Sequence, residues 1–457
     1  MADAGIDTGN GTVTGTGIGT GIPTSPARPR AEPGTTARPR TEAEPPKPAL
    51  GRDYWRLWTA DGVSNLADGT LKVALPLVAI GYTRSPALIA GLSFAFSLPW
   101  LLFALPAGAL VDRIDRRRAM LSANCVRAAA VAALVIFVLG GGSSVWALYV
   151  VALCVGTAET AYDTAAQSMI PRIVPRELLS RANGRLFAVE LAANEFVGPP
   201  LAGLLVAVGA AVALATPLGL WAVALGALLL LRGNFRPQQR SERTTLRADI
   251  AEGLRFVWRN RMLRTLAAMT GAYNLATNAM FAVLVLYATG AGSAMGLSRQ
   301  AYGLLLAAVA AGSVAGSFVA EAVTRVLGRT RSLALSVLGG ILVVGTPAVT
   351  TNPYVIGAAF FAGGVASMVW NVIAVSLRQT VTPDRLLGRV NSAYRLVAWG
   401  VMPIGAAAGG LLAQFAGLRA VFIATAAVML AMMVGLRGVS DARMAEAERD
   451  ADADSNA

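Results

Sequence analysis

From Trp55 onward the sequence is built of apolar runs about 20 residues long, the length an α-helix needs to cross a roughly 30 Å hydrocarbon layer. Twelve such runs are centred in 56–82, 87–111, 119–140, 145–168, 185–208, 211–231, 264–288, 300–323, 331–349, 354–377, 391–415 and 418–437. They are punctuated by Arg84-Ser85-Pro86, Gly140-Gly141-Gly142, Thr351-Asn352-Pro353 and Gly417-Leu418-Arg419, where proline and glycine stop helices. A backbone inside hydrocarbon must satisfy its own polar groups, so runs of this length predict an all-α membrane protein. Composition agrees: 55% of the 457 residues are hydrophobic and 14% charged, against about 25% charged in soluble domains. An ordinary soluble enzyme is excluded.

The net charge of +13 comes from 39 Lys and Arg against 26 acids. These arginines sit in short loops between apolar runs, where they act as orientation signals rather than as a nucleic-acid face. Histidine is absent, which removes imidazole bases, imidazole metal ligands and histidine pH switches. Cys125 and Cys154 lie inside apolar runs and read as small core residues, not as a disulfide or metal pair. Neither a cofactor nor a metal site is expected.

Loop charge sets topology. Loops after even-numbered spans carry Arg113, Arg116, Arg117 and Arg118; Arg172, Arg176, Arg181 and Arg185; the basic stretch 232–264; Arg325, Arg329 and Arg331; and Arg378, Arg385 and Arg389. The opposite loops hold Arg84, Arg299 and Arg419. The positive-inside rule then places both termini in the cytoplasm of a bacterial cell, the chain crossing its plasma membrane many times. Residues 1–53 alternate Gly with Thr and then Pro with Arg, a composition that buries no core and predicts a disordered tail without a signal-peptide h-region. A six-helix bundle is expected over 54–232, a linker over 233–262, a second bundle over 263–437 and a tail over 438–457. Within the linker, Ile250, Leu254 and Val257 fall at helical spacing among Arg247, Arg255 and Arg259, predicting an amphipathic helix on the cytoplasmic face.

The two halves repeat. Pro175-Arg176-Glu177-Leu178-Leu179-Ser180-Arg181-Ala182-Asn183 returns 208 residues later as Pro383-Asp384-Arg385-Leu386-Leu387-Gly388-Arg389-Val390-Asn391. The same offset aligns Gly108 with Gly316 and Tyr162-Asp163 with Trp370-Asn371; one residue further, Asn65 aligns with Asn274. Both copies keep their basic loops on one side, so the repeats are parallel and even-numbered. Six plus six in that relation is a transporter plan with its site near the bilayer midplane.

The loop after span 2 reads Gly108-Ala109-Leu110-Val111-Asp112-Arg113-Ile114-Asp115-Arg116-Arg117-Arg118. It resembles the signature loop of the major facilitator superfamily, Asp115 standing where the pattern has a second Gly. The second half keeps a decayed copy over 316–331, with Ala320 in place of the acid. Span 5 carries Gly198-Pro199-Pro200-Leu201-Ala202-Gly203, similar to the Gly-Pro element of the family's antiporters. This stretch and Glu252-Gly253-Leu254-Arg255-Phe256 resemble the drug:proton antiporter branch that includes macrolide, multidrug and siderophore exporters. The resemblance implies a cytoplasmic latch built on Gly108, Asp112, Arg113 and Arg116, and a hinge or leak barrier at Gly198, Pro199 and Pro200. A kink at those prolines is expected on steric grounds alone. Neighbouring branches carry an arginine in span 4, but this chain has Ala152 there, so that relay is not transferred.

An ionisable side chain at membrane depth is costly and therefore a functional candidate. Asp68 and Lys72 lie four apart in span 1, Glu159 and Asp163 four apart in span 4, and Glu190 and Glu195 lie in span 5. The spacing predicts a self-neutralising Asp68–Lys72 pair or a proton-carrying Asp68 whose release of Lys72 tracks conformation. Glu159, Asp163, Glu190 and Glu195 are expected, with Asp68 and Lys72, to carry proton or cation coupling, Arg127 of span 3 being their nearest cation; for Asp163 and Glu190 a wet vestibule or the loop arginines is the alternative. Polar and aromatic residues at midspan form the candidate cavity: Asn65, Tyr162, Asn274, Asn278, Trp370, Asn371, Tyr394 and Trp399. Such a lining suits a large, partly apolar ligand. The expectation is proton-coupled efflux of a hydrophobic or amphipathic small molecule by a monomer in the bilayer, exchanging it for protons. An importer or a lipid or siderophore flippase on the same fold, and a non-transporting membrane sensor, are the alternatives. No nucleophile–base pair or phosphate loop supports an enzyme.

Overall fold

The computed structural model describes residues 50–111, 114–175, 178–231, 235, 246–290, 292–383, 386–446 and 449, together with Gly11, Thr12 and Gly15. Most of the expected tails therefore lies outside the described residues. Ala49–Ala457 forms one compact unit of helices. In chain order they are α1 (Arg52–Ala79), α2 (Pro86–Val111), α3 (Arg116–Leu139), α4 (Val145–Ile173), α5 (Leu179–Leu191), a π turn (Ala192–Val197), α6 (Gly198–Val208) and α7 (Ala210–Leu229). After them come α8 (Leu246–Arg259), α9 (Arg261–Ala288), α10 (Arg299–Leu327), α11 (Arg329–Val349), α12 (Pro353–Val381), α13 (Leu387–Trp399), α14 (Met402–Ala416) and α15 (Leu418–Gly435).

With α5 and α6 joined through the π turn, and α13 and α14 across Gly400, these helices trace twelve membrane-length paths. Eleven are apolar enough to cross a bilayer by hydropathy. The twelfth is α1, whose 28 residues include Asp61, Asp68 and Lys72. The path that falls short in hydropathy thus carries intramembrane charge of both signs.

Helix starts follow local chemistry. Asp115 accepts from the Arg118 amide at 3.0 Å, Asn260 from Leu263 at 3.0 Å and Ser298 from Ala301 at 3.2 Å, each satisfying an amide the first turn leaves unpaired. Asn352 caps α12 with Pro353 in its first turn. Gly328, at φ 78°, both ends α10 and begins α11, a left-handed residue that reverses the chain without a loop.

The internal repeat survives in three dimensions. The helices α1 and α9 have 28 residues each, α4 and α12 have 29 each, and α5 and α13 have 13 each. Leu178 and Leu386 donate to the Pro175 and Pro383 carbonyls at 3.0 and 2.8 Å, the same turn in each copy. Packing repeats as well. A Cβ on Gly156 of α4 would collide with the Phe96 carbonyl of α2, and one on Gly364 of α12 with the Val309 carbonyl of α10. Small residues let membrane helices approach at van der Waals distance where no hydrophobic effect drives them together.

Contacts between the halves cluster at the end bearing Arg84, Arg299 and Arg419. Ser85 Oγ donates to Gln414 Oε1 at 2.8 Å, and the Arg299 guanidinium to the Val206 carbonyl at 3.2 Å. Gly303 of α10 lies against the backbone of Pro199 and Pro200, and Gly410 of α14 against Pro86 and Ala87. That end is sealed. At the opposite end α8 docks on α13: Gly253 lies against the backbone of Arg389 and Val390, and Glu252 accepts from Arg389. Val257 is buried, so the amphipathic helix lies against the second half rather than standing free. Cys125 is exposed on α3 and Cys154 half-buried on α4, so neither is the core residue the apolar runs suggested.

Candidate transport site

One face of α1 presents Asp61, Asn65, Asp68 and Lys72 at the four-three-four spacing of a helix stripe. The Asp68 carboxylate meets Arg127 of α3, Oδ2 to Nη1 3.1 Å, with both side chains almost wholly excluded from solvent at 2% and 0% exposure. The same nitrogen donates to Ser64 Oγ at 3.0 Å and Asn124 Oδ1 at 3.1 Å. The guanidinium also lies 4.9 Å over the Tyr162 ring of α4 and 6.0 Å from Trp221 of α7. Aromatic faces with fixed dipoles thereby replace the water such a charge would otherwise need.

Lys72 looks elsewhere. Its Nζ donates to Glu159 Oε1 of α4 at 2.9 Å and to Asn194 Oδ1 at 3.3 Å, and lies 5.5 Å over the Phe96 ring. Asn194 in turn donates to Asn65 Oδ1 at 2.8 Å. The expected Asp68–Lys72 pair is therefore replaced by two cross-helix pairs, because α3 and α4 bring better partners than the helix's own next turn.

The π turn makes this network possible. Pro199 and Pro200 cannot donate to carbonyls a turn earlier, and the helix absorbs the mismatch over Ala192–Val197, immediately before the kink expected at Gly198. The widened turn sets Asn194 against α1, where Gly69 leaves room: a Cβ there would meet the Asn194 Cα at 2.6 Å, and one on Gly198 would meet the Gly69 carbonyl carbon at 2.7 Å. The other half breaks its fifth helix at the matching position, Gly400.

Beside the network, the second half encloses a cavity of about 230 Å³. Its walls are Thr270, Tyr273 and Asn274 of α9, Ser313 of α10, Ser336 of α11, Ser367, Trp370 and Asn371 of α12, and Trp399 of α13, closed by Phe187 and Leu191 of α5. Among the described residues, no charged side chain lines it. Trp370 Nε1 donates to Thr270 Oγ1 at 3.2 Å, and Thr270 shares a 2.7 Å hydrogen bond with the Tyr394 hydroxyl. At the rim, Arg395 of α13 stacks 4.4 Å over Trp399 and 5.5 Å from Trp100 of α2, and the two indoles meet edge-on at 5.8 Å. Arg395 lies within electrostatic reach of Asp163 and Glu190 on the first half.

A family model described as "Transmembrane secretion effector" matches residues 48–456, nearly the whole described chain. The chain belongs to this major facilitator family. Multidrug efflux pump Tap of Mycobacterium tuberculosis (strain ATCC 25618 / H37Rv) is 32% identical over 380 residues, 79% of this transporter and 86% of Tap. Macrolide efflux protein A of Streptococcus pyogenes is 29% identical over 156 residues, 34% of this chain and 38% of that one. Among solved structures, nucleoside transporter NupG superposes with a TM-score of 0.66 at 11% identity, covering 84% of this chain and 99% of NupG. A bacterial homologue of iron transporter ferroportin in its inward-facing state gives 0.66 at 18% identity, covering 86% and 100%. The family is one of membrane transporters, not enzymes.

Of the transporter's expected cavity residues, Asn274, Trp370, Asn371 and Trp399 line the cavity. Asn65 and Tyr162 do not: they are buried in the ion-pair network of the first half, 3% and 0% exposed. Tyr394 stands behind the lining under the Arg378 guanidinium, 4.3 Å away, and Asn278 donates back to the Asn274 carbonyl at 2.9 Å. Asp163 and Glu190 are half-buried and Glu195 is exposed beside Lys72. Asp112 and Arg113 of the expected latch lie outside the described residues; Gly108 falls within α2, of whose end no side chain is described. Arg116 donates to Ser168 Oγ at 3.0 Å and to the Phe235 carbonyl at 3.5 Å, holding the start of the linker. Sequence reasoning passed over Asp61, Arg395 and the supporting groups Ser64, Asn124 and Trp221. A scan for every charge inside a span would have found the first two.

Proposed function

We propose that this transporter exports hydrophobic or amphipathic small molecules in exchange for protons, by alternating access of its two halves. The carrying observation is the division of the site. Buried ion pairs, Asp68–Arg127 and Lys72–Glu159, belong to the first half, and an uncharged aromatic and hydroxyl-lined cavity belongs to the second. A carboxylate that can exchange a guanidinium or ammonium partner for a proton is a coupling element; a cavity of indoles and hydroxyls binds apolar bodies without demanding one charge. The names of the relatives, a multidrug and a macrolide efflux pump, support export.

The remaining roles follow from placement. Asp68 carries the exchanged proton, Lys72 and Glu159 respond to it through Asn194, and Asp163, Glu190 and Glu195 make the first half acidic outside the cavity lining, which favours the approach of neutral or cationic ligands. With the arginine-rich loops taken as cytoplasmic, the sealed end faces outward and the ligand enters from the cytoplasm or inner leaflet. Both termini are then cytoplasmic and the transporter acts as a monomer.

The test uses everted vesicles from an efflux-deficient host, loaded by an imposed pH gradient and read with ethidium fluorescence and with a susceptibility panel. Wild type should move ethidium or panel drugs only while the gradient stands, and Asp68→Asn should stop that movement. Undiminished gradient-driven transport in Asp68→Asn would remove the coupling role assigned to it.

A further inference from the structure

Buried polar atoms without a hydrogen-bond partner inside the protein are uncommon, and each calls for an explanation. Among the described residues seven of eleven such atoms gather in one place. Asp61 Oδ2, Asp68 Oδ1, Asn124 Nδ2, Arg127 Nε and Nη2, Tyr162 Oη and Trp221 Nε1 all lie on α1, α3, α4 and α7 around the Asp68–Arg127 pair. The Tyr162 hydroxyl faces Ser64, and the Trp221 indole faces Asp68, without either closing a bond. Donors and acceptors in such a knot are what bound water satisfies, two to four at a time.

Charge points further. Asp61 is 3% exposed and sits seven residues before Asp68, about 10 Å along the same helix face. The groups that reach it are Tyr54 and Asp68 on α1, Arg127 on α3, Tyr162 and Asp163 on α4, and Glu190 on α5. Its neighbour α7 (Ala210–Leu229) contributes no charged side chain. At the centre Asp61 and Asp68 share the one Arg127 guanidinium, with Asp163 and Glu190 adding further negative charge beside them, so negative charge is left to be neutralised inside the membrane. A proton does this and also turns a carboxylate acceptor into a donor, which the unpaired acceptors here can use.

We propose that Asp61 is a second proton-carrying residue, sharing one exchangeable proton with Asp68 through the Tyr162 hydroxyl and bound water. This rests on the proton-coupled reading above. In the transfer, the Asp61 carboxyl gives its proton to a water or to the Tyr162 oxygen. The relay's own proton passes on to Asp68, leaving Asp61 ionised, Asp68 neutral, the relay unchanged and Arg127 protonated throughout. The distance between the carboxyls requires the relay. Because Asp61 lies nearer the arginine-rich end, an inward-moving proton takes this transfer in reverse, from Asp68 to Asp61, which makes Asp61 the exit side of the path and Asp68 the partner that releases Arg127.

Purified full-length protein in lipid, followed by infrared difference spectroscopy across a pH titration, reads protonated carboxyl directly. A shared proton predicts that Asp61→Asn and Asp68→Asn each change the same titrating carboxyl band, and that the double variant loses no more than either alone. Independent, additive losses, or no loss in Asp61→Asn, overturn the proposal. In proteoliposomes, Asp61→Asn should lower pH-gradient-driven ethidium efflux on the order of tenfold or more while energy-independent ethidium exchange stays within about twofold. Equal loss of both would make Asp61 merely structural, and a sodium gradient that drives wild type as well as a pH gradient would assign the site to a metal cation. Tyr162→Phe, which keeps the ring under Arg127, should slow driven efflux and leave exchange intact; unchanged efflux removes the relay. A wild type indifferent to the pH gradient defeats the coupled reading itself, whereas the infrared result bears on Asp61 alone.

Discussion

Arg127 shows what a single residue carries here. A guanidinium at 0% exposure, held by Asp68, Ser64 and Asn124 under two aromatic rings, is stable only while its partner stays. Removing one member of a buried pair costs about 3–5 kcal/mol, because the other is left charged and unpaired, whereas replacing both with apolar residues of similar volume is close to neutral. Arg127→Met should therefore lower the thermal unfolding temperature of the detergent-solubilised transporter clearly. The double variant Asp68→Leu/Arg127→Met should regain most of that loss and remain inactive in ethidium efflux. A double variant as unstable as the single one would mean the pair is not the unit described. Lys72 behaves differently: at 36% side-chain exposure its pair with Glu159 is partly wet, and exposed pairs contribute little to stability. Lys72→Gln should fold normally and lose gradient-driven efflux, as measured by vesicle fluorescence beside a melting curve. Most of these charged residues were legible in the sequence, since any charge inside an apolar span stands out. Their partners were not. Spacing along α1 pairs Asp68 with Lys72, and only the packing of α3 and α4 shows that each has a nearer counter-ion on another helix.

The fifth path of the first half carries the strongest element-scale argument. The Gly198-Pro199-Pro200 stretch made a break readable from the sequence, because proline removes donors the preceding turn would need. The π turn over Ala192–Val197 was not readable, since it depends on Gly69 of α1 giving Asn194 room to approach. Replacing Pro199 and Pro200 together by Ala restores two amide donors. The turn is then expected to tighten to ordinary α-helix and swing Asn194 away from Lys72 and Asn65. The double variant should melt no lower than wild type and transport more slowly, and an activity equal to wild type would show that the π turn is incidental. Gly69→Leu attacks the same crossing from the other side. With Asn194 backbone in the space a side chain needs, it should abolish assembly of a monodisperse protein, seen directly by size-exclusion chromatography.

At the scale of the molecule, the repeat was the most legible feature: an offset of 208 in sequence became equal helix lengths in three corresponding pairs, α1 with α9, α4 with α12 and α5 with α13, and paired glycine contacts at Gly156 and Gly364. What no linear pattern contains is which end of the two bundles is closed, because under the proposed alternating access the same sequence supports both arrangements. The seal here is made of small and polar residues, with Ser85 bonded to Gln414 and Gly303 seated on Pro199 and Pro200. Such contacts are close but individually weak, which suits the opening that the proposed alternating access requires. Holding it shut should stop transport without disturbing either bundle. Ser85→Cys with Gln414→Cys, in a background where Cys125 and Cys154 are replaced by Ser, places two thiols where a 2.8 Å hydrogen bond now joins the halves. Oxidation should form a crosslink, read as a mobility change after cleavage at a protease site inserted in the linker expected over 233–262, and ethidium efflux should fall to background. Because a protein locked at one end still admits ligand from the other, ethidium binding measured by anisotropy should survive the crosslink. Reduction should restore efflux. A crosslinked protein that transports at the wild-type rate would mean these contacts are not broken during the cycle, and alternating access about this seal would have to be abandoned.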